Sequence, residues 1–155
     1  MKPGFSVIFL TTLIGAGQGL FLAIYGIEIA TALNLLDIEN TPTLFISGSL
    51  ISILLTGLGL IASFFHLGHP ERAWRAAAMW RTSWLSREVI ALPLFMAAVF
   101  AYGCAHYAAW GATLLIGAVA TVLCLALFIC TGMIYACIRF LQEWASPLKI
   151  GRAHV

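Results

Sequence analysis

Long apolar runs alternate with short polar connections along the whole chain. The runs read from about Phe5 to Ile27, with helix able to continue past Glu28 to Leu33, then Leu44 to Phe65, Val89 to Tyr107 and Thr113 to Ile138. Each supplies the roughly 20 apolar residues that a helix needs to cross about 30 Å of hydrocarbon. The pattern predicts an all-α fold, a polytopic integral membrane helical bundle with four transmembrane helices visible. At 155 residues there is room for those spans and short loops, and none for a separate soluble domain.

Composition points the same way. With 62% hydrophobic and 9% charged residues and a mean hydropathy of +1.01, the chain is not one that water would hold as a folded monomer. Its few positive charges are sorted by connection. Lys2 precedes the first span, Arg72, Arg75, Arg81 and Arg87 lie between the second and third, and Arg139, Lys149 and Arg152 follow the fourth. Cytoplasmic loops collect Lys and Arg, so both ends of this segment and the His66 to Glu88 connection are expected on the cytoplasmic side of a bacterial inner membrane. The connection with Asp37, Glu39, Thr41 and Pro42, and the short one from Ala108 to Gly111 with Trp110 as an interfacial anchor, fall opposite. The net charge of +2 then reports topology and argues against nucleic acid. The first span, with Gln18 and closely spaced glycines, reads as retained rather than as a cleaved signal peptide.

Several chemistries find no support. Cys104, Cys124, Cys130 and Cys137 lie in or beside spans without a Cys-x-x-Cys pair, so buried packing is expected and no metal. A phosphate loop, a serine elbow and a carboxylate dyad are all lacking. Gly48, Ser52 and Thr56 recur every fourth residue and predict a packing face. Gly15, Gly17 and Gly19 predict close approach of a neighbouring helix. Gln18 among them reads equally as interhelical glue or as a ligand contact.

The stretch Phe65-His66-Leu67-Gly68-His69-Pro70-Glu71-Arg72-Ala73-Trp74, with Trp80 to Glu88 after it, is richest in chemistry. His66 closes the second span and Glu88 opens the third, so both belong to one interface. Pro70 suits the first turn of a short helix, with Glu71 and Arg75 at i, i+4. For most of the arginines, sidedness is explanation enough. Reversible quinone chemistry moves two electrons and two protons. It calls for one group that hydrogen-bonds a quinone oxygen and another that relays protons to water, which an imidazole and a partly desolvated carboxylate can do. A solvated helix-end histidine is the plainer reading of His66. Haem needs axial ligands at matching depth. His66 and His69 share one end while His106 is near the other, which disfavours a two-histidine haem.

The motif His66-Leu67-Gly68-x-Pro70-x-Arg72-Ala73, followed by Leu85-Ser86-x-Glu88, resembles the membrane anchor subunit family of dimethyl sulfoxide reductase complexes. Met1 to Leu22 and Trp80 to Ile90 are most similar to the branch that anchors cytoplasmic quinone-dependent sulfite dehydrogenase. The resemblance extends to about Leu148. It implies a subunit without its own redox metal or catalytic residues for the sulfur substrate, one that holds an iron-sulfur subunit and a molybdopterin catalytic subunit at the membrane. It also implies electron exchange with quinone or quinol as bound substrate, with His66, Arg72, Glu88 and, with less force, Gln18 as quinone-site residues. His69 falls where the motif varies. Sidedness selects a cytoplasmic catalytic module; that it passes electrons from sulfite to quinone is what the resemblance implies. The alternatives are an anchor for a sulfoxide or N-oxide reductase that oxidises quinol and, from another class, a structural or transport bundle with a polar path through Gln18, Glu28 and His66.

Family members have about eight spans by the same hydropathy reading, so this chain corresponds to an N-terminal half. Residues 1–148 are expected to be the anchor region. Ile150-Gly151-Arg152-Ala153-His154-Val155 matches one reading frame of a common sequencing adapter, and 149–155 are expected to be read-through. A genomic clone is expected to continue differently after about Pro147 or Leu148; finding these last codons in place would refute that origin.

Overall fold

The computed structural model describes residues 5–36, 42–64, 78 and 80–137. The described residues form four helices: α1 Phe5–Ala32, α2 Pro42–Phe64, α3 Trp84–Tyr107 and α4 Thr113–Cys137. At 1.5 Å per residue each is about 35 Å long or more, sufficient to cross the hydrocarbon layer. Helices satisfy their backbone internally, which an apolar solvent demands. All four are long and apolar enough to be membrane spans. The protein is an all-helical, multi-pass membrane protein. The expected start of the third helix at Val89 moves back to Trp84, because Ser83 caps it by accepting a hydrogen bond from the Ser86 amide at 3.4 Å.

Close backbone approach sets the α1–α2 seam. A Cβ on Gly17 would meet the Ser52 carbonyl oxygen at 2.8 Å and the Thr56 methyl at 2.7 Å, while one on Gly59 would meet Ile14 at 2.6 Å and one on Gly48 would meet Ile24 at 2.9 Å. The Ser52 hydroxyl donates to the Gly17 carbonyl at 2.7 Å across this seam. Small residues at interfaces and interhelical hydrogen bonds are the means of association where lipid removes the hydrophobic drive between helices. The face of Gly48, Ser52 and Thr56 packs as its spacing suggests. The Gly15, Gly17, Gly19 cluster does so only in part: Gly15 and Gly19 have open space around their Cβ positions, because residues two apart on a helix point in widely different directions.

Further contacts fix the antiparallel order of neighbouring helices. Gly103 of α3 faces Ser49 of α2, Thr131 of α4 bonds Glu88 of α3, and Gly117 of α4 lies against the Tyr25 ring of α1. The Tyr25 hydroxyl donates to the Leu114 carbonyl at 2.9 Å. Phe21, Phe95 and Val99 are fully buried in the middle of the bundle, with Ala120, Cys124 and Leu127 closing the α4 side. Leu50, Leu54, Leu58 and Ile61 form an exposed apolar stripe along α2, joined by Phe100 and Val122 on other helices. That outward face suits lipid.

Helices α1 and α3 end in the same way. Asn34 and Ala109 adopt φ of 54° and 52°, and the amides of Leu35 and Trp110 reach back five residues to the carbonyls of Ala30 and Ala105. These are Schellman-type ends that satisfy carbonyls otherwise left open.

Gly17→Val is expected to destabilise the protein by about 2 kcal/mol, since its methyls must displace backbone rather than a flexible side chain. Gly15→Val is expected to cost less than about 1 kcal/mol. Denaturant titration of the full-length protein in detergent compares the two.

Candidate functional site at the Glu88 end

Polar side chains gather at opposite ends of the bundle. One end holds the start of α3. Glu88 lies one turn inside that helix and is partly buried, and its Oε1 accepts from the Thr131 hydroxyl of α4 at 2.9 Å. A carboxylate at this depth needs such a partner, because a polar group facing hydrocarbon alone costs several kcal/mol, on the order of a lost hydrogen bond or more. Arg87 turns the other way. Its Nε donates to the Trp80 carbonyl and its Nη2 to the Arg81 carbonyl, both at 3.0 Å, and its guanidinium stacks 4.3 Å from the Trp84 ring centre. Arg81 lies over Trp80 at 5.3 Å. The arginine-tryptophan pairs thus brace the entrance to α3, with amphipathic side chains suited to the membrane interface.

His66 and Arg72 lie outside the described residues. Gln18 is buried in α1, with 4% of its surface exposed. Phe21 of α1 packs edge-on against both Phe95 and Tyr102. That register puts Gln18 near the level of Phe95, about 10 Å along the bundle axis from Glu88. Gln18 and Glu88 are therefore not brought side by side.

The opposite end holds a cluster that sequence reasoning did not assemble. The Tyr102 hydroxyl donates to Glu28 Oε2 at 2.6 Å. His106, one turn further along α3, has Nε2 3.4 Å from Glu28 Oε1. Distance and direction disagree for this second contact: it is close enough for an ion pair, yet Nε2 is buried without an aligned hydrogen-bond partner among the described residues. The geometry favours reading it as an attraction rather than a made hydrogen bond. Phe45 of α2 stacks on the imidazole at 4.4 Å and Tyr102 meets it edge-on at 4.7 Å. The sequence signal was available in part, since Tyr102 and His106 are four apart on an apolar helix and share a face. Their carboxylate partner lies 74 residues from Tyr102.

Comparison with known proteins decides what kind of chain carries these ends. The family model for the DMSO reductase anchor subunit (DmsC) matches residues 1–150. The chain belongs to that family. The C subunit of sulfite dehydrogenase from Allochromatium vinosum is 56% identical over 163 aligned positions, which cover 97% of this chain and 50% of that protein. The anchor-family chain thus spans about half the length of this curated relative. No solved structure matches it.

In this anchor-family bundle the two carboxylates accept hydroxyl hydrogen bonds of different length, 2.6 Å at Glu28 and 2.9 Å at Glu88. Tyr102→Phe is expected to cost about 1.5–3 kcal/mol, the range for a hydrogen bond to a charged group. Thr131→Val is expected to cost about 0.5–1 kcal/mol, as for typical interhelical bonds in lipid. Parallel unfolding titrations of the two variants test the order.

Proposed function

We propose that this chain is the quinone-reactive anchor of a molybdopterin and iron-sulfur oxidoreductase, and that it passes electrons from sulfite oxidation to the quinone pool. Membership of the anchor family and likeness to a sulfite dehydrogenase subunit support the assembly and the substrate. The single structural observation that carries the quinone site is Glu88: a partly buried carboxylate at the mouth of the bundle, steadied by Thr131 and flanked by an arginine-rich, tryptophan-rich entrance.

Sulfite and water give sulfate, two protons and two electrons in the catalytic subunit, and quinone takes two electrons and two protons to become quinol. The anchor's own residues manage the protons. Glu88 is fixed by Thr131 through Oε1, so it is pre-aimed and can pass a proton between a quinone oxygen and water. His66 supplies the imidazole that hydrogen-bonds the quinone, and Arg72, further along the same connection in sequence, adds positive charge. Gln18 contributes a buried amide deeper in the bundle, about 10 Å from Glu88 along the axis. The positive charges of the connecting segment favour a catalytic module on the cytoplasmic side of a bacterial inner membrane.

A second reading has the family description behind it: an anchor that oxidises quinol for a sulfoxide or N-oxide reductase. The same complex assayed in both directions separates the two.

In the full-length complex, His66→Ala and Glu88→Gln are each expected to lower sulfite-dependent quinone reduction by at least about tenfold, within the usual range for losing a proton-transfer group. The catalytic subunits remain membrane-bound. Undiminished turnover in both variants removes the site, and release of the subunits shows a structural role instead.

A further inference from the structure

The Glu28 cluster plays no part in the chemistry proposed for Glu88, and it sits at the other end of the bundle. It adjoins a cavity of about 270 Å³ lined by Glu28, Pro42, Phe45, His106, Trp110 and Thr113 among others. Glu28 is 8% exposed and the His106 side chain 12%. Ionisable groups so placed in a membrane span are costly and call for a use.

The geometry points to a proton-binding site, made by Glu28, Tyr102 and His106, that exchanges with water in this cavity. Tyr102 occupies Oε2, leaving Oε1 and His106 Nε2 facing each other at 3.4 Å without a made bond. A buried imidazole nitrogen with no partner costs about 1–3 kcal/mol. Nε2 is closed to solvent here, so a water from the cavity reaches it only when the pair parts slightly; bridging Nε2 and Oε1 it then removes that cost, and the cavity is far larger than the roughly 10–15 Å³ that one water requires. Through such a water a proton moves between carboxylate and imidazole with no change in the net charge of the pair. That is the inexpensive way to hold a proton in a low dielectric.

Among the described residues the surroundings leave water as the exchange partner; Asp37 and Glu39 lie outside them. From α1 the other titratable group is Tyr25, whose hydroxyl is donated to the Leu114 carbonyl. From α3 it is Tyr102. The cavity lining from α2 is Pro42 and Phe45, and from α4 it is Thr113, none of them ionisable. Towards Glu88 the way is blocked by Phe21, Phe95 and Val99, all fully buried. The site is therefore served from its own end, and the inference stands whether or not Glu88 handles quinone.

Exchange of the imidazole C2 hydrogen with deuterated water, followed at His106 by peptide mass spectrometry across a pH series, tests this in native membranes carrying the full-length protein. Exchange is drawn from the imidazolium, and Glu28 Oε1 lies 3.4 Å from Nε2. Wild type is therefore expected to exchange with a high-pH plateau, and Glu28→Gln to lower that plateau by about threefold or more. Mere loosening of the packing would raise it instead. Tyr102→Phe loosens the cluster but keeps its charge, and its plateau is expected to be equal to wild type or higher. The proposal is overturned if His106 stays unexchanged in membranes while denatured protein exchanges. It is equally overturned by an unchanged plateau in Glu28→Gln, or by a lowered one in Tyr102→Phe. Suppression of wild-type exchange by an added quinone analogue would show that the cavity takes a ring rather than water.

Discussion

At Gly17 the backbone of α1 comes within contact distance of α2, and the Ser52 hydroxyl closes the approach with a hydrogen bond to the Gly17 carbonyl. In water a seam of this kind is one contribution among many. In lipid, where apolar side chains gain nothing by leaving the solvent, close packing and interhelical hydrogen bonds must align the helices. Gly48 against Ile24 and Gly59 against Ile14 extend the same register in both directions from Gly17. Once α1 is fixed, Phe21 meets Phe95 and Tyr102, and Glu28, seven residues beyond Phe21, comes level with the end of α3.

The polarity of the bundle follows from that alignment. Gln18, Glu28, Ser49, Ser52, Thr56 and Ser86 are buried, whereas Leu50, Leu54, Leu58 and Phe100 are exposed. Two of the buried hydroxyls are quietened locally: Ser49 donates to the Phe45 carbonyl and Thr56 to the Ser52 carbonyl, each one turn back on its own helix. Such groups carry no proton from one end to the other. Glu28 differs because its partners come from another helix, and Glu88 differs for the same reason.

How much of this can be read from residues alone depends on the range of the interaction. Helical spans, their order and the membrane class follow from runs of apolar residues, which are local. The face of Gly48, Ser52 and Thr56 is local too, because its four-residue period is a property of one helix. Gly17 stands out only together with Gly15 and Gly19, since spacing within one helix does not say which side the neighbour occupies. Glu88 stands out through its motif, but its bond to Thr131, 43 residues away, requires the α3–α4 register. Glu28 and His106 draw notice separately, one as a polar residue in a span and the other as a histidine at the far end. Their pairing depends on the positions of two helices not adjacent in sequence.

The two ends solve one electrostatic problem differently. Glu88 lies beside a basic, tryptophan-rich entrance, where Arg87 and Arg81 supply positive potential from the interface without an ion pair to it among the described residues. A single neutral donor, Thr131, is then enough to hold it, and its second oxygen need not be committed to a fixed protein donor. Glu28 has no arginine or lysine on the described part of its end; its positive partner has to be His106, whose charge is conditional on a proton. Arginine charge is permanent, so a carboxylate at that end faces an interface whose positive potential does not depend on proton uptake. A carboxylate that faces a histidine has a counter-ion only while the imidazole holds a proton. The fully buried Phe21, Phe95 and Val99 lie between the two ends, so the two carboxylates are held in separate settings.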